Sequence, residues 1–277
     1  MTRFKNQWFC LAFLATTLAT TAAHATTITS GTSSATFTDA SNSFDATPTA
    51  NFTVGGYPGD QVFEFGWWLR QATDSGQFTF GAPTSFVAGA DQVTYTWAAL
   101  PGGLSGLSAT LTYLVVENAG IASLTSQLTL TNNTGTAIAL VAYNMVDIDL
   151  GGTASGDSAT GGLGGIAVTD PGTTLSLNFY GTGASSYLVR AFNSTTDVAG
   201  ILSAAAAANF DNSGLPFGVG DFTGGFQWDG INLGAGGSIS LTSGITNAPL
   251  SGSETPEPGT LSLVGLGLAA VALLRRR

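Results

Sequence analysis

The side chains that carry most nucleophile and proton-transfer chemistry are nearly missing from this sequence. Cys10 is its one cysteine, His24 its one histidine and Lys5 its one lysine. All three stand in the first 25 residues, a stretch with the order of a secretory leader. Arg3 and Lys5 precede an apolar run from Trp8 to Leu18, small and polar residues follow, and Ala23-His24-Ala25 supplies the small-x-small site that signal peptidase cuts. The mature chain is expected to begin near Thr26, without thiol, imidazole or ε-amine. Such a chain cannot assemble a Ser-His-Asp or Cys-His nucleophile, a lysine Schiff base or a histidine-ligated zinc. No disulfide can hold it together either, so burial of a core must.

Positive charge is the next scarcity. All 17 acidic residues follow Ala25, and setting aside Glu254 and Glu257 near the C-terminus leaves 15 carboxylates in the body. They are opposed only by Arg70 and Arg190, for a net charge near −13. Nucleic acid and anionic lipid surfaces repel such a body, which excludes a nucleic-acid partner. Divalent cations are attracted to it. Paired carboxylates also keep one enzymatic route open, because glycoside hydrolysis needs only two acids at a suitable separation. Glu64 and Glu117 are the two glutamates of the body, beside thirteen aspartates.

What is abundant is glycine, 38 residues of it, together with serine and threonine. That mixture disfavours helices and favours strands joined by tight turns. Val93, Tyr95 and Trp97 alternate with polar residues, as do Leu128 and Leu130, and Leu104 to Val116 reads as a further strand. Asn132-Asn133-Thr134-Gly135 predicts a hairpin turn between strands at Gln127–Thr131 and Thr136–Leu150. Gly225–Leu233 and Ser238–Ser243 form a later pair around Gly234-Ala235-Gly236-Gly237. One short surface helix is expected at Val198–Ala208, where five alanines end a run that Asp197 can cap. The fold class expected is all-β, an antiparallel β-sandwich for which a jelly-roll-like order is one arrangement.

Two stretches of the body stand out for function. Asp147-Ile148-Asp149-Leu150-Gly151-Gly152 opens like a calcium loop, and alternation in a strand places both aspartates on one face. The EF-hand pattern then fails, with Gly151 at the fifth position and Ser158 at the twelfth, while Asp157 can add an oxygen from the glycine-rich loop that follows. Calcium is therefore the one ion considered, and no other cofactor is expected. In Phe63-Glu64-Phe65-Gly66-Trp67-Trp68-Leu69-Arg70 the adjacent tryptophans must point to opposite faces. One of Trp67 and Trp68, beside Arg70, is a candidate platform for a sugar ring; burial of both is the competing expectation.

The C-terminus is the most specific part. Thr255-Pro256-Glu257-Pro258-Gly259-Thr260 leads into an apolar run from Leu261 to Leu274, and the chain stops on Arg275, Arg276 and Arg277. As a helix at ~1.5 Å per residue this run is ~21 Å long, short of a ~30 Å hydrocarbon core, and its arginines favour the cytoplasmic side. Polar motif, short apolar helix and basic end in that order resemble the PEP-CTERM protein-sorting tail. The resemblance implies export, presentation to an exosortase-like membrane enzyme through Pro256, Glu257 and Pro258, and a host that makes extracellular polysaccharide. The expected layout is a signal peptide at 1–25, a secreted body at 26–250, a linker at 251–260 and a transmembrane sorting tail at 261–277. The function expected is that of a non-enzymatic surface or extracellular-matrix protein, anchored on the outer side of the inner membrane before processing. A carboxylate-based carbohydrate-active enzyme and a calcium-dependent carbohydrate-binding module are the alternatives.

Overall fold

The computed structural model describes residues 25–38, 49–193 and 195–248. Ala23, the sorting motif Pro256, Glu257 and Pro258, and the expected transmembrane run lie outside the described residues. The first strands are β1 (Ala25–Ser30), β2 (Ser33–Thr38), β3 (Thr49–Thr53), β4 (Val62–Gln71), β5 (Ser85–Ala88) and β6 (Gln92–Trp97). Then follow β7 (Leu107–Asn118), β8 (Ile121–Asn132), β9 (Ile138–Ile148), β10 (Asp157–Gly162) and β11 (Gly165–Thr169). The last are β12 (Ser176–Thr182), β13 (Ser186–Ala191), β14 (Phe217–Gly220), β15 (Phe222–Leu233) and β16 (Ser238–Thr246), with one helix, α1 (Val198–Ser203), after β13.

These strands form a seven-stranded sheet in the order β1-β2-β3-β4-β9-β15-β13 and a nine-stranded sheet in the order β14-β10-β11-β12-β16-β8-β7-β6-β5. Every ladder between them is antiparallel. The expected antiparallel sandwich is present. Its order differs from a jelly-roll: β1 to β4, β5 to β8 and β10 to β12 run as meanders of sequential neighbours, not as paired Greek keys.

The core fills the space between the sheets. β6, β7 and β8 alternate buried and half-exposed residues, so Val93, Tyr95, Trp97, Leu128 and Leu130 all point inward as their spacing predicts. Across from them Trp67 stacks on Trp228 with centroids 5.1 Å apart, and its Nε1 donates to Ser126 Oγ at 3.1 Å. A polar strap crosses the same core, where Ser243 Oγ lies 2.6 Å from Asn144 Oδ1 and the Asn144 amide donates to Gly66 O at 2.8 Å.

β4 and β9 are buried almost throughout, because the seven-stranded sheet is covered on its outer face as well. Trp68, Val141, Tyr143, Met145 and Leu188 pack there beneath Val198, Ala199 and Leu202 of α1 and beneath Ala208 and Phe210. The helix begins as expected, with the Asp197 carboxylate accepting from Gly200 N at 2.6 Å. It stops at Ser203, short of the alanine run. Gln77 takes over the backbone there, accepting from Ala208 N at 2.7 Å and donating to Ala206 O at 3.2 Å, which holds the run out of the helix despite alanine's high helix propensity.

Neither expected hairpin is one. β8 lies in the nine-stranded sheet and β9 in the seven-stranded sheet, and β15 and β16 are divided in the same way. None of residues 132–135 takes the left-handed φ that a tight hairpin turn demands. Asn132 is instead fully buried and its side chain directs the crossing: Nδ2 reaches Thr136 O at 2.7 Å and Leu233 O at 2.9 Å, and Oδ1 accepts from Thr134 N at 2.9 Å. A tight hairpin is formed instead by β7–β8, closed by Ala119 and Gly120 at φ 51° and 81°. The strand expected from Leu104 accordingly starts at Leu107, after a 3-10 turn at Gly102–Leu104.

Candidate functional site

β9 runs between β4 and β15, and its last residues place carboxylates at one end of the seven-stranded sheet. Val146 and Ile148 point into the core, so Asp147 faces outward, directly opposite Glu64 of β4 and Thr223 of β15. Asp149 follows on the same side. Gly151 and Gly152, each at φ 71°, then turn the chain back, and Asp149 O accepts from Gly152 N at 2.9 Å. Asp221 arrives from the other strand, immediately before the Phe222–Ile148 pair.

These three aspartates line a cavity of about 180 Å³ whose other walls are Phe63, Ala154 and Phe192. One carboxylate oxygen from each lies within 4.8 Å of the other two. Asp147 is 5% exposed, and its Oδ1 and that of Asp149 are buried without a hydrogen-bond partner. Burial, then the charges of Asp149 and Asp221, push Asp147 up to about 9. Asp149 rises to about 6 through burial and its neighbours Asp221 and Asp60. Asp221 is raised as well, by burial and by Asp197.

Asp157 does not join this group. It begins β10 opposite Gly220, fully buried with both carboxylate oxygens lacking a hydrogen-bond partner, and burial and Asp170 push it up to about 8. The three-carboxylate arrangement expected of Asp147, Asp149 and Asp157 is made instead with Asp221. Nothing near Asp221 in the sequence marks it, since only the β9–β15 ladder brings it to Asp149.

The sugar-stacking expectation is corrected by burial. Trp67 and Trp68 do point to opposite faces, but each is 1% exposed, one between the sheets and the other beneath α1. Neither indole is left to receive a sugar ring. Arg70 is a brace: Nε donates to Tyr143 Oη at 3.0 Å and Nη2 to Ala208 O at 3.2 Å and Asn209 Oδ1 at 3.0 Å. Glu117 is also structural, accepting from Thr32 N and Ser33 N at 2.7 Å each, and the Ser33 side chain together with these amides holds its carboxyl below the usual range.

A second feature lies on the outer face of the nine-stranded sheet. Thr94, Thr112, Gln127, Thr242 and Thr182 form one row across five strands, and Thr96, Thr110, Thr129 and Ser240 form the next. Strand geometry spaces such groups ~4.8 Å apart along a row and ~6.8 Å between rows. Neighbouring hydroxyls bond across strands, Thr94 to Thr112 at 3.1 Å and Thr129 to Ser240 at 2.8 Å. No charged side chain interrupts these rows, although the body carries so many carboxylates.

Beyond the described body, the tail decides the protein's sorting. Residues 254–277 match the PEP-CTERM protein-sorting motif. The motif implies an exported, membrane-anchored protein that an exosortase processes. Comparison with curated proteins gives no match. Among solved structures, a galactose mutarotase-like protein from Lactobacillus casei ATCC 334 aligns at TM-score 0.48 and 8% identity, over 80% of this chain and 99% of that one. A protein assigned as a kojibiose phosphorylase, from the human microbiome, aligns at TM-score 0.36 and 9% identity, over 88% of this chain and 32% of that one. Likeness at this level transfers no chemistry.

Proposed function

We propose that the PEP-CTERM chain is a non-enzymatic surface or extracellular-matrix protein whose body binds neutral extracellular polysaccharide. The observation that supports this is the uncharged, hydroxyl-bearing face of the nine-stranded sheet. Each hydroxyl–hydroxyl hydrogen bond exchanged with water contributes little alone, ~1 kcal/mol, but a regular array meeting a repeating polymer adds many weak contacts on one chain. The face carries no charge to be desolvated on contact.

Co-sedimentation of the purified mature protein with insoluble neutral glucans, read beside a reducing-end assay, tests the proposal. Retention without release of reducing ends is expected, and Thr112→Lys with Thr242→Lys should abolish it by placing charge in the row. Equal retention of that variant would remove the face from the account.

A second reading has its own support. A buried and a half-buried carboxylate with oxygens within 4.8 Å, the first raised to about 9 and the second to about 6, have the asymmetry of an acid and its partner base in glycoside hydrolysis. Reducing ends released by the parent protein and lost in Asp147→Asn would favour that carbohydrate-active enzyme over the binding protein.

A further inference from the structure

We propose that Asp147, Asp149 and Asp221 form a divalent-cation site, specific for calcium, that fastens the ends of β9 and β15 together. The inference concerns a separate region from the hydroxyl face and does not rest on polysaccharide binding.

Three observations carry it. The donors are all hard oxygens, which suit calcium or magnesium and not zinc or copper. Their spacing suits one ion, since three oxygens all within 4.8 Å of one another can share a calcium at ~2.4 Å from each. Magnesium, at ~2.1 Å, demands stricter octahedral placement and gives up its waters reluctantly. The third observation is the Asp147 side chain, which is 5% exposed, lines the cavity and has an Oδ1 with no hydrogen-bond partner.

A buried carboxylate without a donor is costly to keep, and here two more carboxylates face it. A cation satisfies all three at once. The cavity, at about 180 Å³, has room for an ion and several waters to complete six to eight oxygens, a water occupying ~30 Å³. Glu64 and Asp197 add negative field around Asp147. The strands being joined are far apart in sequence, so the ion would act as a staple between Asp149 and Asp221. Export places the body where calcium is plentiful, and extracellular calcium modules bind at ~0.1–1 mM.

Calorimetric titration and thermal melting of the chelator-treated mature protein, with calcium chloride and then magnesium chloride, test the assignment. Saturable calcium binding with a rise in melting temperature is expected, with a response to magnesium at least tenfold weaker. Asp221→Asn should weaken calcium at least tenfold, whereas Asp157→Asn should leave it near the parent value. Asp221→Asn should also melt higher than the parent in the absence of any cation, because it removes repulsion; a merely structural aspartate would move the other way. Absence of calcium binding in the parent, or unchanged affinity in Asp221→Asn, would overturn the site. Equal affinity for magnesium would overturn the choice of ion.

Discussion

Asp147 and Glu64 stand directly opposite each other on β9 and β4, both nearly inaccessible to water. Like charges in register across a ladder oppose folding, and burial adds to the penalty. The protein relieves this by holding protons that the unfolded chain releases: Asp147 keeps its own to about 9, Asp157 to about 8 and Asp149 to about 6, against an ordinary 3.8.

A pH dependence of definite sign results. Between roughly pH 4 and 9 the native state binds more protons than the unfolded state, so stability is fullest in mild acid and is lost as pH rises through the folded values. Glu117 and Asp211, held below their ordinary values, act only at lower pH. In chelator-treated protein the urea midpoint should be higher at pH 5 than at pH 8. A midpoint that rises with pH across this window would contradict the burial of these carboxylates.

The two tryptophans should respond in different ways to substitution. Trp67 loses its stack on Trp228 and leaves Ser126 without its donor, so Trp67→Ala should destabilise by ~3–5 kcal/mol. Trp68 carries an indole N–H with no partner, and Trp68→Phe removes that orphan while keeping most of the apolar contact. It should lie within ~1–2 kcal/mol of the parent and keep full polysaccharide retention. Denaturant midpoints separate the two; a loss of retention in Trp68→Phe at unchanged stability would restore the indole as a sugar contact.

Period-two alternation made much of this architecture legible, because a strand with one face on a core records that face in its sequence; Tyr95 and Leu128 are examples. What alternation cannot record is which strand lies alongside. Asn132 reads as a turn residue but ends β8, and its amide donates to Leu233 and Gly234, about a hundred residues away, as well as to Thr136, so the chain changes sheets instead of folding back. Asp221 escaped for the same reason, while Asp147 and Asp149 were visible through their local spacing. Trp68 misled because its outer face is covered by α1, a contact that no local pattern encodes.

Asn132 accordingly offers a test of the crossing. Asn132→Ala would free the buried carbonyl of Leu233 and, nearer the surface, remove a partner from Thr136 O and Thr134 N. The expected cost is roughly 2–4 kcal/mol, more than one hydrogen bond, because a buried carbonyl is orphaned and two flanking groups lose a partner with it. Asn132→Asp should be worse still, since a carboxylate cannot donate to either carbonyl. Chemical denaturation measures both; a cost below ~1 kcal/mol for the alanine variant would show that water replaces the side chain.

The tail yields the prediction that the sequence specifies most closely. Residues 254–277 match the sorting motif, in which Pro256-Glu257-Pro258 precedes the apolar run and the three arginines. The prolines favour extended backbone and deny it helical hydrogen bonds, which leaves the motif accessible to an enzyme beside the membrane. Glu257 supplies the charge between them. Glu257→Ala should therefore leave the body folded and exported but retained with its tail uncut. Deleting Arg275 to Arg277 should instead let unprocessed protein escape, because it removes the charge that the positive-inside rule would keep on the cytoplasmic side. Intact mass of the secreted and membrane fractions distinguishes these outcomes. Efficient tail removal from the Glu257→Ala variant would show that the exosortase reads the apolar run and its basic end without this glutamate.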